Sequence, residues 1–149
     1  MERKLETEEE NRERDNSIYF KEGLFGFETC KRFLPVAVEK DSDAVLILQS
    51  MEDDNISFVL MNPFILKEDY APEIPEDELK ELGEAEEKDY SWYVLCVART
   101  PAEKSTVNLK CPIVVNTVTH RAKQVILDKR EYGFRHTLGE LTRREKKIC

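Results

Sequence analysis

The sequence of 149 residues has no long apolar run, and 36% of its residues are charged. No segment approaches the roughly 20 consecutive apolar residues that a membrane-spanning helix requires. The N-terminal stretch, MERKLETEEENRERDN, also lacks the apolar core of a secretory signal. These absences predict a cytoplasmic protein with no membrane partner.

Cysteine and histidine are scarce, and neither forms a recognisable ligand pattern. No two of the four cysteines have the close spacing of zinc ligands, and there are two histidines. In a reducing compartment such cysteines are free thiols. We therefore expect no metal and no other cofactor. The cysteines are Cys30, Cys96, Cys111 and Cys149.

An excess of basic residues is also missing, since the formal net charge is -8. Nucleic-acid binding draws most of its affinity from Lys and Arg contacts to phosphate, so direct binding of nucleic acid is not expected. The negative charge is concentrated between Lys67 and Asp89, where eleven acidic residues stand beside three lysines. The simpler interpretation of this segment is a solvated surface loop and helix. The other interpretation is a docking face for a basic protein.

Glycine is rare, with five residues in the chain. Gly23 and Gly26, in the stretch FKEGLFGFE, predict a tight turn that carries aromatic side chains into a core. The stretch has neither a third glycine nor the lysine and hydroxyl pair of a phosphate-binding loop. The sequence therefore predicts a structural turn here.

Short apolar runs separated by polar turns predict neighbouring antiparallel strands. They cover Phe33 to Val38, Ala44 to Ser50 and Ile56 to Met61, with KDSD and MEDDN between them. Their near-continuous hydrophobicity predicts either burial on both faces or a position within a sheet that closes on itself.

Two later segments complete the predicted sheet. Tyr90 to Ala98 has aromatic and β-branched residues at both parities, which predicts a central strand. Ser105 to Asn116 alternates apolar and polar residues and predicts one strand with a single core face. Pro112 cannot donate a backbone hydrogen bond, so this strand is expected at an edge or bulged at that point. KQVIL then returns as the second strand of a hairpin.

Two helices are predicted. Pro75 begins a short acidic helix that Gly83 ends, and Thr137 followed by Glu140 forms the capping-box pattern of a C-terminal helix. The expected fold is mostly β, a small antiparallel β-barrel or sandwich with one short acidic helix and this terminal helix. Residues 1–16 are expected to be a polar arm, disordered or weakly paired, 17–138 the β domain, and 139–149 a basic tail.

Catalytic groups are not predicted at the cysteines or histidines. Cys96 and Cys111 occupy apolar positions of predicted strands, where buried thiols are usually inert. His120 and His136 have no carboxylate at a spacing that would orient the imidazole ring.

Two alternatives stay open. The first is a small-molecule-binding or catalytic barrel with Tyr132, Arg135 and His136 at its mouth, because these polar groups cluster near a strand end. The second is direct RNA binding through the basic stretch RREKK near the C-terminus.

Four stretches in register carry a resemblance to a known family. They are FKEGLFGFE, LQSMEDDNISFVLMNPF, TVNLKCPIVVN, and AKQVIL with Tyr132, Arg135 and His136 after it. From Ile18 to Leu138 the chain resembles the flagellar assembly factor FliW family. The resemblance implies a small β-barrel-like binding protein with no enzymatic activity. It also implies two protein partners: newly made flagellin and, when flagellin is scarce, the RNA-binding translational regulator CsrA, whose capture releases the flagellin message for translation.

The segment from Phe64 to Leu82 is the face expected to engage the basic regulator, because of its charge and the exposure expected of a proline-punctuated linker. Flagellin would present apolar helices, which need apolar contacts, and Phe64, Tyr70 and the rim of NPF are the candidates. The predicted partner-binding residues are Asn62, Pro63, Phe64, Asp69, Tyr70, Glu73, Glu76 and Glu78.

Overall fold

The computed structural model describes residues 16–42 and 44–146, the last four of them as backbone only. Within these residues the chain forms one nine-stranded sheet and three short helices. The strands are β1 (Ile18–Phe20), β2 (Arg32–Ala37), β3 (Val45–Ser50), β4 (Ser57–Met61), β5 (Tyr90–Val97), β6 (Thr106–Val107), β7 (Ile113–Asn116), β8 (Arg121–Gln124) and β9 (His136–Thr137). The helices are α1 (Pro63–Leu66), α2 (Glu76–Lys80) and α3 (Leu138–Lys146), with 3-10 turns at Glu87–Asp89 and Ala102–Lys104.

Seven of the strands close into a barrel in the order β1, β2, β3, β4, β5, β7, β8 and back to β1. All neighbours are antiparallel except β1 and β8, which run parallel and pair only at Tyr19–Arg121 and Phe20–Ala122. Strands β6 and β9 extend the sheet from β5. The predicted mostly β fold is therefore confirmed, and the closed form is a barrel.

Side chains of one parity fill the barrel interior. Phe20, Phe33, Leu48, Leu60 and Ile113 are each no more than 2% exposed, and the rings of Phe20 and Phe33 pack edge to face at 5.4 Å. Burial of each such side chain stabilises the fold by about 1.5–3 kcal/mol. The interior is thus a packed core.

A second core lies on the outside of the barrel. Val94 of β5 and Val114 of β7 point outward, yet both are fully buried because Leu82 and Leu141 belong to the layer that covers them. This explains why β5 is apolar at both parities. By contrast Val36 on β2 is 46% exposed, so the apolar run of β2 reflects a closed sheet and not burial of both faces.

The prediction of one strand from Ser105 to Asn116 is wrong, because the segment divides into β6 and β7. β5 pairs with β6 at Cys96–Val107 and with β7 at Tyr93–Ile113. Between these two pairs β5 has two residues, whereas the chain that runs from β6 to β7 has five, residues 108–112. The backbone N–H groups of Leu109 and Lys110 both donate to Gly133 O at 3.1 Å, away from the barrel. The bulge expected at Pro112 is therefore present and larger than one residue.

Both predicted helices are present. Pro75 is the residue before α2, and Gly83 ends the turn after it with φ of +100°, where a Cβ atom would lie 2.7 Å from Thr119 Cγ2. Thr137 Oγ1 accepts a hydrogen bond from Glu140 N at 3.1 Å and so caps α3. Residues 1–15 and 147–149, parts of the predicted arm and tail, lie outside the described residues.

Among the described residues, a depression of about 680 Å³ reaches core residues of the barrel and is named here the barrel-mouth groove. Its walls include residues 34–37 of β2, Leu46 of β3, Ser91 and Tyr93 of β5, and Thr117 and His120 of the β7–β8 turn.

Candidate functional site

Residues 62–89 leave the barrel after β4 and return to it at β5, and this segment is named the excursion. It begins with α1, which Asn62 caps by accepting a hydrogen bond from Phe64 N at 3.0 Å. Pro63, at the first helical position, is buried. Phe64 is 41% exposed and Ile65 is 57% exposed. The capped helix therefore presents a fixed apolar patch.

Tyr70 anchors the excursion to the barrel. Its hydroxyl donates to Leu109 O at 2.7 Å, in the bulge between β6 and β7. Its ring packs 4.7 Å from that of Tyr132, whose hydroxyl accepts from Ala71 N at 2.8 Å. Burial, and then the neighbouring Tyr132 and Cys111, raise the pKa of Tyr70. Tyr70 is thus a neutral hydrogen-bond donor at neutral pH.

Lys123 holds the acidic helix against β8. Its Nζ lies 2.6 Å from Glu81 Oε2 and 3.8 Å from Glu78 Oε1. The hydrogen bond and charge of Lys123 lower the pKa of the Glu81 carboxyl. Burial lowers the pKa of Lys123, but the surrounding carboxylates outweigh it and the net pKa is raised. The negative charge beside β8 is therefore partly neutralised.

The chain after α2 is fixed by the β7–β8 turn. Asn116 Nδ2 and Thr119 Oγ1 both donate to Leu82 O, at 3.1 Å and 2.6 Å. Because Leu82 is also buried in the outer core, α2 cannot swing freely away from the barrel.

All eight predicted partner-binding residues lie in the excursion, but they differ in accessibility. Phe64, Asp69, Glu73 and Glu76 are exposed, Asn62 and Glu78 are half-buried, and Pro63 and Tyr70 are buried. Tyr70, 6.0 Å from the ring of Phe64, supports that side chain from below. Asp69 pairs with Lys67 at 2.8 Å. The assignment of all eight to partner binding stays a prediction.

Two residues of this surface, Ile65 and Lys123, are not among the predicted partner-binding residues. Ile65 is more exposed than Phe64. The sequence feature that could have identified it is the apolar pair Phe64 and Ile65 in the first turn after the helix cap Asn62. Lys123 was hidden because a lone lysine in a strand gives no sign of the carboxylates that long-range packing brings to it.

The alternative site at Tyr132, Arg135 and His136 does not assemble as one cavity mouth. Tyr132 is buried and Arg135 is exposed, and His136 Nε2 accepts from Gly133 N at 2.7 Å. His136 Nδ1 lies 3.7 Å from Glu140 Oε1, so the expectation that no carboxylate is placed to orient this ring is wrong. The three residues are not among those that line the barrel-mouth groove.

The thiols of Cys96 and Cys111 lie in the packed layers, as their strand positions predict. Burial raises the pKa of both, so neither is a ready thiolate nucleophile at neutral pH. Within residues 16–42 and 44–146, no group of three or more His, Cys, Asp or Glu side chains is placed to hold a metal ion. In the same part of the chain no helix has the length and hydrophobicity to cross a membrane.

The fold and the excursion together define a small closed β-barrel protein that displays an apolar patch and a partly neutralised acidic helix on one long insertion. A sequence model described as FliW protein matches residues 2–138. The chain belongs to the FliW family of flagellar assembly factors.

Relatives and a solved structure agree with this assignment. The flagellar assembly factor FliW of Thermosipho africanus is 37% identical over 129 residues, which cover 86% of this chain and 88% of the relative. That of Symbiobacterium thermophilum is 38% identical over 124 residues, with 83% and 90% covered. A crystal structure of the flagellar assembly factor FliW has a TM-score of 0.76 at 31% identity, covering 83% of this chain and 86% of that one.

Proposed function

We propose that this chain assists flagellar assembly in the cytoplasm by binding two proteins and that it catalyses no reaction. One partner is flagellin, which it holds before export. The other is a CsrA-type RNA-binding regulator, which it binds when flagellin is scarce. Capture of the regulator relieves repression of flagellin synthesis. The observation that carries the proposal is the excursion, which places apolar and acidic surface on one insertion.

The apolar patch of α1 supports the flagellin half of the proposal. Phe64 and Ile65 are exposed, and the buried ring of Tyr70 holds Phe64 in place. Aromatic anchors on a rigid support contribute strongly to protein recognition because they lose little conformational entropy on binding. The unassembled ends of flagellin are expected to be apolar helices, which such a patch can cover.

The exposed carboxylates at the start of the acidic helix support the regulator half. Glu73 precedes α2 and Glu76 is its first residue; both are exposed, and neither is one of the two carboxylates that pair with Lys123. A protein that grips RNA carries basic residues, so an acidic partner speeds its encounter by electrostatic steering. Once docked, the carboxylates place negative charge beside the phosphate path. Because coupling is reciprocal, bound RNA weakens the binding of this chain by the same factor.

The test is co-purification of the full chain with flagellin and with the regulator, separately and together. The double variant Glu73→Lys and Glu76→Lys should slow association with the regulator several-fold and flatten its salt dependence, because rim charges act mainly on the association rate. Flagellin binding should change little. The matched control is Glu39→Lys with Glu103→Lys, which makes the same charge change at exposed positions outside the excursion.

Phe64→Ala with Ile65→Ala should weaken flagellin binding and leave the regulator unaffected. If neither protein co-purifies with the wild-type chain, the proposed function is wrong. Both proteins could bind while the control variant slows association with the regulator as much as Glu73→Lys with Glu76→Lys does. In that case the acidic helix is not the regulator face.

A further inference from the structure

A second depression, named here the turn pocket, lies between the aromatic turn at residues 21–28 and the end of α2. It has about 270 Å³ of space, which is less than most small-molecule sites have and suits a single side chain. Its lining comes from the turn, from Glu81 and Leu82 after α2, and from residues 122–124 of β8. None of these residues adjoins residues 1–15, 43 or 147–149 in the sequence.

The backbone of the aromatic turn is fixed where it meets the pocket. At Gly23 an added Cβ atom would lie 2.7 Å from Glu28 Cα, so only glycine lets the two ends of the turn approach this closely. Glu22 and Glu28, which these ends carry, both line the pocket. Phe25 N donates to Oε1 of the buried Gln124 at 2.9 Å. The turn therefore presents its side chains from a rigid support.

Phe25 is the exposed aromatic wall of the pocket. The ring of Phe27 packs edge to face on that of Phe58 at 5.0 Å, whereas Phe25 is 52% exposed and lines the pocket. Beside it the buried residues Leu82 and Ala122 complete an apolar lining. An exposed ring in such a wall can stack on a planar group and attract a cation.

The charge around the turn pocket is negative. Three carboxylates and two lysines line it: Glu22, Glu28, Glu81, Lys21 and Lys123. Lys123 lies 2.6 Å from Glu81 Oε2 and 3.8 Å from Glu78 Oε1, so its charge is already balanced. Glu22 and Glu28 are exposed and lie outside these ion pairs, which leaves Lys21 to oppose them. A cationic side chain therefore fits this pocket better than an anionic one.

We infer that the turn pocket binds an arginine side chain of a basic partner protein, with the guanidinium group stacked on Phe25 and bonded to the carboxylates of the rim. Arginine fits better than lysine because its planar group both stacks on aromatic rings and donates two parallel hydrogen bonds to a carboxylate. The pocket lies beyond the predicted partner-binding residues, which end at Glu78. The inference rests on the proposed function only in taking the regulator as the partner.

The pocket is tested directly with two short peptides that differ at one central residue, which is arginine in one and its neutral analogue citrulline in the other. Each peptide is titrated into the ¹⁵N-labelled full chain, and the backbone amide signals are followed by NMR. The arginine peptide should shift the signals of residues 22–28 and 122–124. The citrulline peptide should bind several-fold more weakly, because it cannot form charge-assisted hydrogen bonds.

Phe25→Leu should weaken binding of the arginine peptide several-fold, since leucine keeps an apolar wall but has no aromatic face. The matched control is Phe134→Leu, which makes the same change at a phenylalanine that is 60% exposed and is not among the lining residues. It should bind the arginine peptide as the wild type does. In the complex with the regulator, Phe25→Leu should raise the dissociation rate several-fold, because buried arginine anchors act mainly on dissociation.

The rim charges give changes of opposite sign. Glu22→Gln with Glu28→Gln should weaken the arginine peptide and reduce the salt dependence of its binding, whereas Glu39→Gln with Glu103→Gln, at exposed positions outside the pocket, should not. Lys21→Met should strengthen binding, because it removes the cation that opposes the guanidinium group. A gain of this kind cannot result from partial unfolding.

Four results would overturn the inference. They are equal affinity for the two peptides, no shift at residues 22–28 with millimolar arginine peptide, equal losses in Phe25→Leu and Phe134→Leu, and a regulator that binds Phe25→Leu as it binds the wild type. The peptide measurements do not involve the regulator. If the arginine peptide binds in the pocket but the regulator does not co-purify with the wild-type chain, the proposed function is wrong and the arginine site stands.

Discussion

The hydrogen bond from Tyr70 to Leu109 O allows a sharp test of how the excursion is held. Tyr70→Phe removes only the hydroxyl and leaves the ring stacked beside Tyr132. Tyr70 is 4% exposed and Leu109 is fully buried, so little water can replace the missing donor. The variant therefore leaves a buried carbonyl oxygen without this partner.

An unsatisfied buried polar group costs about 1–3 kcal/mol. For a chain of this length each kcal/mol lowers the melting temperature by about 2–4 °C. We expect Tyr70→Phe to lose about 2 kcal/mol and to melt about 4–8 °C lower. Flagellin binding should weaken as well, because Phe64 rests on the ring that the hydroxyl positions.

The same variant has a pH signature. Burial raises the pKa of Tyr70 above its ordinary value of 10.0, so the folded chain keeps this proton to higher pH than the unfolded chain does. The stability that the protonated Tyr70 hydroxyl contributes to the free energy of unfolding is complete below pH 10. It is lost as the pH rises further, by up to about 1.4 kcal/mol per pH unit. The difference in stability between wild type and Tyr70→Phe should therefore shrink above pH 10.

The measurement is urea denaturation followed by circular dichroism from pH 7 to pH 11, the range that spans the ordinary tyrosine pKa. Tyr19→Phe is the control, because it makes the same change at a tyrosine that is half-buried and lies outside the excursion. Two results would refute the anchoring role of the hydroxyl. One is an equal loss of unfolding free energy in Tyr70→Phe and Tyr19→Phe, and the other is a stability difference between wild type and Tyr70→Phe that is constant with pH.

Two further predictions concern the acidic helix and the aromatic turn. Lys123→Met should cost under about 1 kcal/mol near neutral pH, since its nearer partner Glu81 is exposed. It should also speed association with the regulator, because the Glu81 carboxylate is no longer paired. The measurement is stopped-flow kinetics across salt concentrations with Lys104→Met as the control, and equal rates for the two variants would contradict the prediction. Gly23→Ala should destabilise the fold more than Gly26→Ala does. Both glycines have positive φ, but only at Gly23 would a Cβ atom lie 2.7 Å from neighbouring backbone atoms. The measurement is a thermal melt of each variant, and equal decreases in melting temperature would contradict the steric reason.

The sheet could be predicted from sequence where the pattern is local. The hairpins of β2, β3 and β4 follow from short apolar runs with polar turns between them, and β5 from its dense β-branched and aromatic content. What local pattern could not give is the closing of β1 onto β8, since that depends on residues far apart in sequence. Strand pairing within a hairpin is encoded by its own turn, whereas barrel closure is encoded by the whole core.

The division of the segment from Ser105 to Asn116 shows where alternation misleads. Leu109 and Cys111 are buried, as the parity predicts, but in a bulge and not in a strand. The backbone there bonds to Gly133, a residue that the alternating pattern does not include. Periodicity reports which side chains are buried, and the hydrogen-bond partner decides whether the backbone is extended.

The exposure of the predicted partner-binding residues could be predicted for some of them and not for others. A proline-punctuated acidic linker indicates exposure, and Glu73 and Glu76 are exposed. Tyr70 is buried, and its hydroxyl donates to Leu109 O, 39 positions away in sequence. Glu78 is partly neutralised by Lys123 on β8. Both departures arise from contacts across the fold, which a single sequence read along its length does not display.

The parallel pairing of β1 with β8 has a consequence for synthesis of the chain. Tyr19 must pair with Arg121, 102 positions later, before the wall is complete. A ribosome delivers residues in order, so β2, β3 and β4 can form hairpins while β1 still waits for its second neighbour. The closed barrel, and any surface built across its seam, therefore does not exist until nearly the whole chain has left the exit tunnel.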